Sequence, residues 1–96
     1  MDVLVTYDVN TQVPAGKRRL RLVVRACEGF GQRVQNSVFE VQCTETALVE
    51  LTARLARIID QSVDSIRIYR LDSGSLVRVV LMGTQRAIPV DDAWVL

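Results

Sequence analysis

Residues 3–9, Val-Leu-Val-Thr-Tyr-Asp-Val, form a run too short for a helix, rich in β-branched and aromatic side chains and apolar on both alternating faces until Asp8. A strand of that character is a central strand, and the rest of the chain must supply its neighbours and its cover. Asn10, Thr11, Pro14 and Gly16 then break the strand and open a helix, with Pro14 in its first turn. Along that helix Leu20, Val23, Val24 and Cys27 recur at i, i+3, i+4 and i+7. Arg18, Arg21 and Arg25 fall on the side turned away from this stripe, so the helix has an apolar face and an arginine face.

Gly29 and Gly31 around Phe30 end the helix, and residues 33–43 have strand composition, with Val34, Val38, Phe39 and Val41 in one second strand. Thr44 is placed to cap a second helix, in which Leu48, Leu51, Leu55 and Ile58 keep helical spacing to Asp60. Residues 64–71 alternate Ile66 and Ile68 with Arg67 and Tyr69, Asp72-Ser73-Gly74 is a turn, and residues 77–82 complete a hairpin as a further strand.

Strand, helix, strand, helix, strand, strand suits an α+β sandwich of the ferredoxin-like βαββαβ type, an antiparallel sheet with both helices on one face. The length of 96 residues holds one such domain, 1–96, and no second core. The tail, with Pro89, Asp91 and Asp92 before Trp94, Val95 and Leu96, reads as an extra C-terminal strand added to an edge, and residues 84–96 as an extension pairing with a partner subunit. Leu4, Thr6 and Asp8 share the sheet face opposite Val3, Val5 and Tyr7, a face the helices leave bare. Stacking two such faces in a homodimer is the simplest cover.

Composition narrows the chemistry. Histidine is absent, which removes the usual general base and every Ser-His or Cys-His nucleophile, so catalysis would rest on carboxylates and metal. Cys27 and Cys43 form no CxxC pair and read as small hydrophobes in a reducing compartment. No basic and apolar leader and no apolar stretch approaching 18 residues is present, so the expectation is a soluble, cytoplasmic protein without a membrane role. Twelve basic residues against eleven acidic ones exclude a globally basic coat, and any binding field must be local.

That field is local. Lys17, Arg18, Arg19, Arg21, Arg25 and Arg33 stand against the single acid Glu28 within residues 17–33, and eleven of the twelve basic residues are arginine, whose planar fork suits bidentate phosphate contact. A solvated helix face is the plain alternative. With five aromatics in all, a stacking platform for single strands has little support, and contact with duplex phosphates is the better reading. Asp8 is the sharpest site candidate: either it caps the following helix beside Asn10 and Thr11, or it holds a divalent ion. One carboxylate makes a poor metal site, but a two-fold axis joining two Asp8 side chains would supply a credible Mg²⁺ site. Ser37 has no base beside it and reads as a strand hydroxyl, and Gly29-x-Gly31 is not a dinucleotide fingerprint.

The pattern resembles the second of the two core CRISPR adaptation proteins, the Cas-two family. Tyr7-Asp8-Val9 is similar to that family's first-strand ending, residues 17–25 to its basic first helix, and Phe-Gly-Gln-Arg-Val-Gln-Asn-Ser-Val-Phe-Glu at 30–40 to its Tyr-Gly-x-Arg-Val-Gln-x-Ser-Val-Phe-Glu run, with Phe30 where tyrosine is usual. Ile58-Ile59-Asp60 and residues 64–69 also fit, so the resemblance spans about residues 2–72 and, more weakly, Trp94-Val95-Leu96. It implies a ferredoxin-like homodimer with Asp8 of each subunit near the interface, where a divalent metal binds. It also implies two different function classes. In one, a metal-dependent endonuclease acts on RNA or duplex DNA, with Asp8 as catalytic and metal-holding residue, Arg19, Arg21 and Arg33 on phosphates, and Tyr7, Ser37 and Phe39 in support. In the other, a dimer bridges subunits of the Cas-one integrase during spacer acquisition, with Arg18, Arg19, Arg21, Arg25 and Arg33 along a duplex. No second acid stands near Asp8 in sequence to serve as general base, which favours the bridging role. A third class, a small ligand-binding or regulatory domain of the same fold, would show a ligand pocket and no duplex binding.

Overall fold

The structure is a computed structural model that describes residues 1–85. The elements run β1 (Asp2–Asp8), α1 (Pro14–Glu28), β2 (Gly31–Gln35), β3 (Val38–Gln42), α2 (Glu45–Ile58) and β4 (Ser65–Leu71). The sheet has the order β2-β3-β1-β4 with every neighbouring pair antiparallel. Both helices lie on one face, so the expected ferredoxin-like α+β sandwich forms, with β1 as an inner strand.

The core is the one the periodicity predicts. Val3, Val5 and Tyr7 of β1 meet Leu20, Val23, Val24 and Cys27 of α1, Leu48, Leu51 and Leu55 of α2, and Phe39 and Val41 of β3. Pro14 opens α1, and Thr44 caps α2 by accepting the Ala47 N–H at 3.1 Å on its hydroxyl.

Two strand assignments need correction. Residues 33–43 are not one strand: Asn36 and Ser37 form a two-residue turn that folds the segment into the β2–β3 hairpin, with Val34 accommodated by a register shift. Residues 77–82 are not a strand, although the turn at Asp72-Ser73-Gly74 exists, with Gly74 at a positive φ of 89°. The physical reason lies in Asp2, which is buried and accepts the Leu76 N–H at 3.0 Å. That bond draws the chain across the open sheet face at the Asp2 end instead of returning it along β4. The hairpin and the missing strand compensate, so four strands remain. The expected terminal strand, with Trp94, lies outside the described residues.

Gly31 owes its place to close approach, since a Cβ there would run into the Glu40 carbonyl and the Val41 backbone across the hairpin. Gly16 is similar: the carbonyl of Asn10, in the loop after β1, lies against the first turns of α1 where a side chain would stand.

One buried carboxylate joins that loop to the rest. Asp64, whose side chain has no solvent exposure, accepts the Asn10 N–H (2.9 Å), the Asp60 N–H (2.9 Å) and the Arg19 guanidinium through Nε (2.8 Å) and Nη2 (3.4 Å). Burial works to raise its carboxyl, but the hydrogen bonds from Arg19, Asp60 and Asn10 and the Arg19 charge outweigh it and hold the group below the usual carboxylate range. A carboxyl depressed by folding contributes stability above its unfolded value of about 3.9 and loses it as pH falls through the folded value. Asp64→Asn should therefore cost about 3 kcal/mol at neutral pH and less at about pH 3, below the unfolded value. Urea unfolding of both proteins at the two pH values, at one protomer concentration, checks it; an equal difference at both would contradict the assignment.

Candidate nucleic-acid and metal site

Asp8 is the last residue of β1, exposed, and paired in register with Ser65 on β4. It lies on the open sheet face with Leu4 and Thr6, as expected from strand alternation. Among the described residues its carboxylate enters no ion pair or side-chain hydrogen bond. It does not cap α1, whose N-cap is Val13 without a side-chain bond. An exposed, unengaged carboxylate suits a divalent ion that keeps several waters. Among the described residues no group of three potential metal ligands forms.

Behind Asp8, four residues singled out in the sequence meet in a buried clamp. The Tyr7 phenol donates to the Asn36 carbonyl at 2.6 Å, and Arg33 donates to the same oxygen from Nη2 (2.6 Å) and Nε (2.9 Å). The Tyr7 N–H donates to the Ser37 carbonyl at 3.2 Å, and the Phe39 ring packs against Tyr7 with centroids 6.2 Å apart. Three donors converging on one carbonyl pin the β2–β3 turn against the end of β1. Burial pushes the Tyr7 hydroxyl up to about 12 although the Arg33 charge opposes it, so Tyr7 is a hydrogen-bond donor at neutral pH and no base. Phe39 is fully buried and offers no stacking surface to a base. Arg33 is only 7% exposed, and its Nη1 has no acceptor among the described residues. Its guanidinium holds the turn, where the sequence reading has it on phosphate. Burial likewise pushes the Cys27 thiol up to about 12, which makes it inert packing.

The remaining arginines separate. Arg18 and Arg25 are exposed on the outer side of α1, with Lys17 beside them. Arg21 is half-buried. Arg19 turns to Asp64. No acid stands in the first turn of α1, and Arg25 stands in its last turn, where a basic side chain complements the helix dipole. Asp8 belongs to the open face and the arginines to the helix layer on the other side of the sheet, so one chain does not gather them into a single pocket. Sequence reasoning missed Asp64 and the Asn36 carbonyl, because both act through contacts across long stretches of chain. An apolar groove of about 500 Å³ between α2 and β4, lined by Leu48, Thr52, Ala53 and Ile68, has Arg70 as its charged group, already paired with Glu45 at 2.7 Å. It lacks the converging polar groups of a small-ligand site.

Among the described residues no helix is long and apolar enough to cross a membrane. Residues 1–79 match the family described as CRISPR associated protein Cas2. A protein of Rhodospirillum rubrum named CRISPR-associated endoribonuclease Cas2 3 is 52% identical over 86 residues, 90% of each chain. One of Halalkalibacterium halodurans named CRISPR-associated endonuclease Cas2 is 46% identical over 92 residues, 96% of each. The crystal structure of Streptococcus pyogenes Cas2 superposes with a TM-score of 0.77 at 53% identity, covering 86% of this chain and 100% of that one. With the ferredoxin-like sheet, the Tyr7-Asp8 strand ending and the arginine-bearing first helix all in place, the chain belongs to the CRISPR-associated protein Cas2 family.

Proposed function

We propose that the chain works as a homodimer bridging duplex nucleic acid within the Cas-one integrase complex during CRISPR spacer acquisition, with phosphates held by the outer side of α1. The observation that carries this reading is the placement of exposed Arg18 and Arg25 on the layer opposite Asp8. A surface of that kind grips a backbone without needing the carboxylate. Dimerisation is supported by the open sheet face, where Leu4, Thr6 and Val38 stay partly exposed and Tyr69 is 42% exposed. Stacking two such faces covers these side chains, turns both α1 helices outward and draws the two Asp8 carboxylates toward the axis.

A second reading, a Mg²⁺-dependent endonuclease on RNA or duplex DNA, is favoured by the unengaged Asp8 carboxylate and by the names of the relatives. In it, two Asp8 side chains would hold the ion across the dimer axis. Such an ion lowers the pKa of a bound water and stabilises charge on the phosphoryl oxygens. Arg18 and Arg25 lie on the other side of the sheet from Asp8 and take no part in that site, and among the described residues no group of three potential metal ligands surrounds it.

Sedimentation at micromolar concentration should give twice the 10.8 kDa chain mass; a persistent monomer would refute the stacked-sheet dimer and the shared site together.

Duplex binding should be indifferent to sequence and steep in salt. For about six phosphate contacts per dimer, log K against log salt should fall with a slope of roughly −5. A slope near zero would overturn the arginine face.

Asp8→Asn separates the two roles. The variant should fold, dimerise, bind duplex and support spacer acquisition with the integrase while losing any Mg²⁺-dependent cleavage. Acquisition lost together with cleavage would defeat the bridging reading. Mg²⁺ should raise the melting temperature of the parent and not of Asp8→Asn, whereas equal rises would place the ion elsewhere.

A further inference from the structure

Asp8 has a strand partner on one side only. On β3 the ladder with β1 ends at Thr6 opposite Val38, whereas on β4 the last rung is Asp8 opposite Ser65. A terminal rung frays unless the chain beyond it is fastened. Two fasteners follow Asp8: the buried side chain of Val9, and the Asn10 N–H donating to Asp64 Oδ1 at 2.9 Å. Asp64 immediately precedes Ser65, so the same short segment supplies both the rung beside Asp8 and the carboxylate that catches the chain two residues later.

Asp64 has four donors for its two oxygens. Oδ1 accepts Asn10 N–H and the longer Arg19 Nη2 contact of 3.4 Å, and Oδ2 accepts Asp60 N–H at 2.9 Å and Arg19 Nε at 2.8 Å. Arg19 sits in the second turn of α1, so its planar fork sets the carboxylate against the helix layer as a single ammonium would not. The guanidinium of Arg19 therefore faces inward at the strand end, away from the surface that carries Arg18 and Arg25. Sites with few ligands depend on such outer support, because a supporting residue holds the ligand within about 0.5 Å of its working position.

We propose that Asp64 and Arg19 form a positioning pair that fixes the end of β1 bearing Asp8, so that Arg19 acts on the site through Asp64 and not as a phosphate contact. This rests on Asp8 being the metal-holding group in the function proposed above. Neither residue touches substrate or ion in this scheme; both are positioning residues.

The test uses the full-length chain with Arg19→Gln, which removes the charge and keeps a donor of shorter reach. Two quantities are read: the MgCl₂ concentration at half-maximal melting shift, and the salt slope of binding to a duplex of arbitrary sequence. For Arg19→Gln the Mg²⁺ midpoint should rise about tenfold while the salt slope stays at the parent value. Arg18→Gln, a true phosphate contact, should reduce the magnitude of the slope by roughly 2 if it meets one phosphate in each protomer. A slope that falls in Arg19→Gln as it does in Arg18→Gln, with an unmoved Mg²⁺ midpoint, overturns the proposal.

Should Arg19→Gln fail to fold, Arg19→Lys keeps the charge and one donor toward Asp64. It should restore folding with an intermediate Mg²⁺ midpoint, and a fully parental midpoint would overturn the pair. If the parent itself shows no Mg²⁺-dependent shift, the metal role of Asp8 fails, and amide hydrogen exchange judges the pair separately. Exchange at Asn10 and Asp60 should then quicken in Arg19→Gln ahead of the sheet core, whereas unchanged exchange at Asn10 would overturn the positioning role.

Discussion

The carboxylate of Asp64 takes hydrogen bonds from the loop after β1, from α1 and from the loop after α2, so that the loop after β1 and α1 are tied to a buried point 45 or more positions further along the chain. Around that point the geometry is constrained in turn. The chain after β1 is caught at Asn10, where Gly16 leaves room for its carbonyl, and α1 returns Arg19 to Asp64. Desolvating the carboxylate alone would be unfavourable, and four donors including a guanidinium reverse the sign. The outcome is a rigid corner at the end of the sheet that carries Asp8.

A second buried polar knot completes that corner. The Asn36 carbonyl accepts from both Arg33 and Tyr7, which holds the β2–β3 turn against β1. Asp8 thus sits between two pinned turns while its own side chain stays exposed and unengaged. The arginines divide accordingly: Arg19 and Arg33 are used within the fold, and Arg18 and Arg25 remain exposed on the surface.

Much of this was legible in advance. The 3.6-residue spacing of Leu20, Val23, Val24 and Cys27 and of Leu48, Leu51 and Leu55 gave both helices and their buried stripes, and alternation in residues 3–9 placed Asp8 on the open face. The hairpin within 33–43 was hidden because Asn36-Ser37 lacks the glycine that marks a tight two-residue turn, and apolar residues continue on either side of it. The absent strand at 77–82 has the opposite cause. Its composition is strand-like, with Val77, Val79, Val80, Leu81 and Met82, yet the Asp2–Leu76 hydrogen bond redirects the chain before pairing with β4 can begin.

The sequence by itself determined the secondary-structure periods, the capping Thr44, the exclusion of histidine chemistry and the candidacy of Asp8, because each of these depends on residues within a few positions of one another. Tertiary structure alone decided which arginines are available. Arg18 and Arg19 are neighbours in sequence and alike in chemistry, but a helix turns about 100° per residue, and only folding brings Asp64, 45 positions away, to the side on which Arg19 falls. Charge pairing over that separation carries no local signature, since β2, β3 and α2 lie between the partners in the chain.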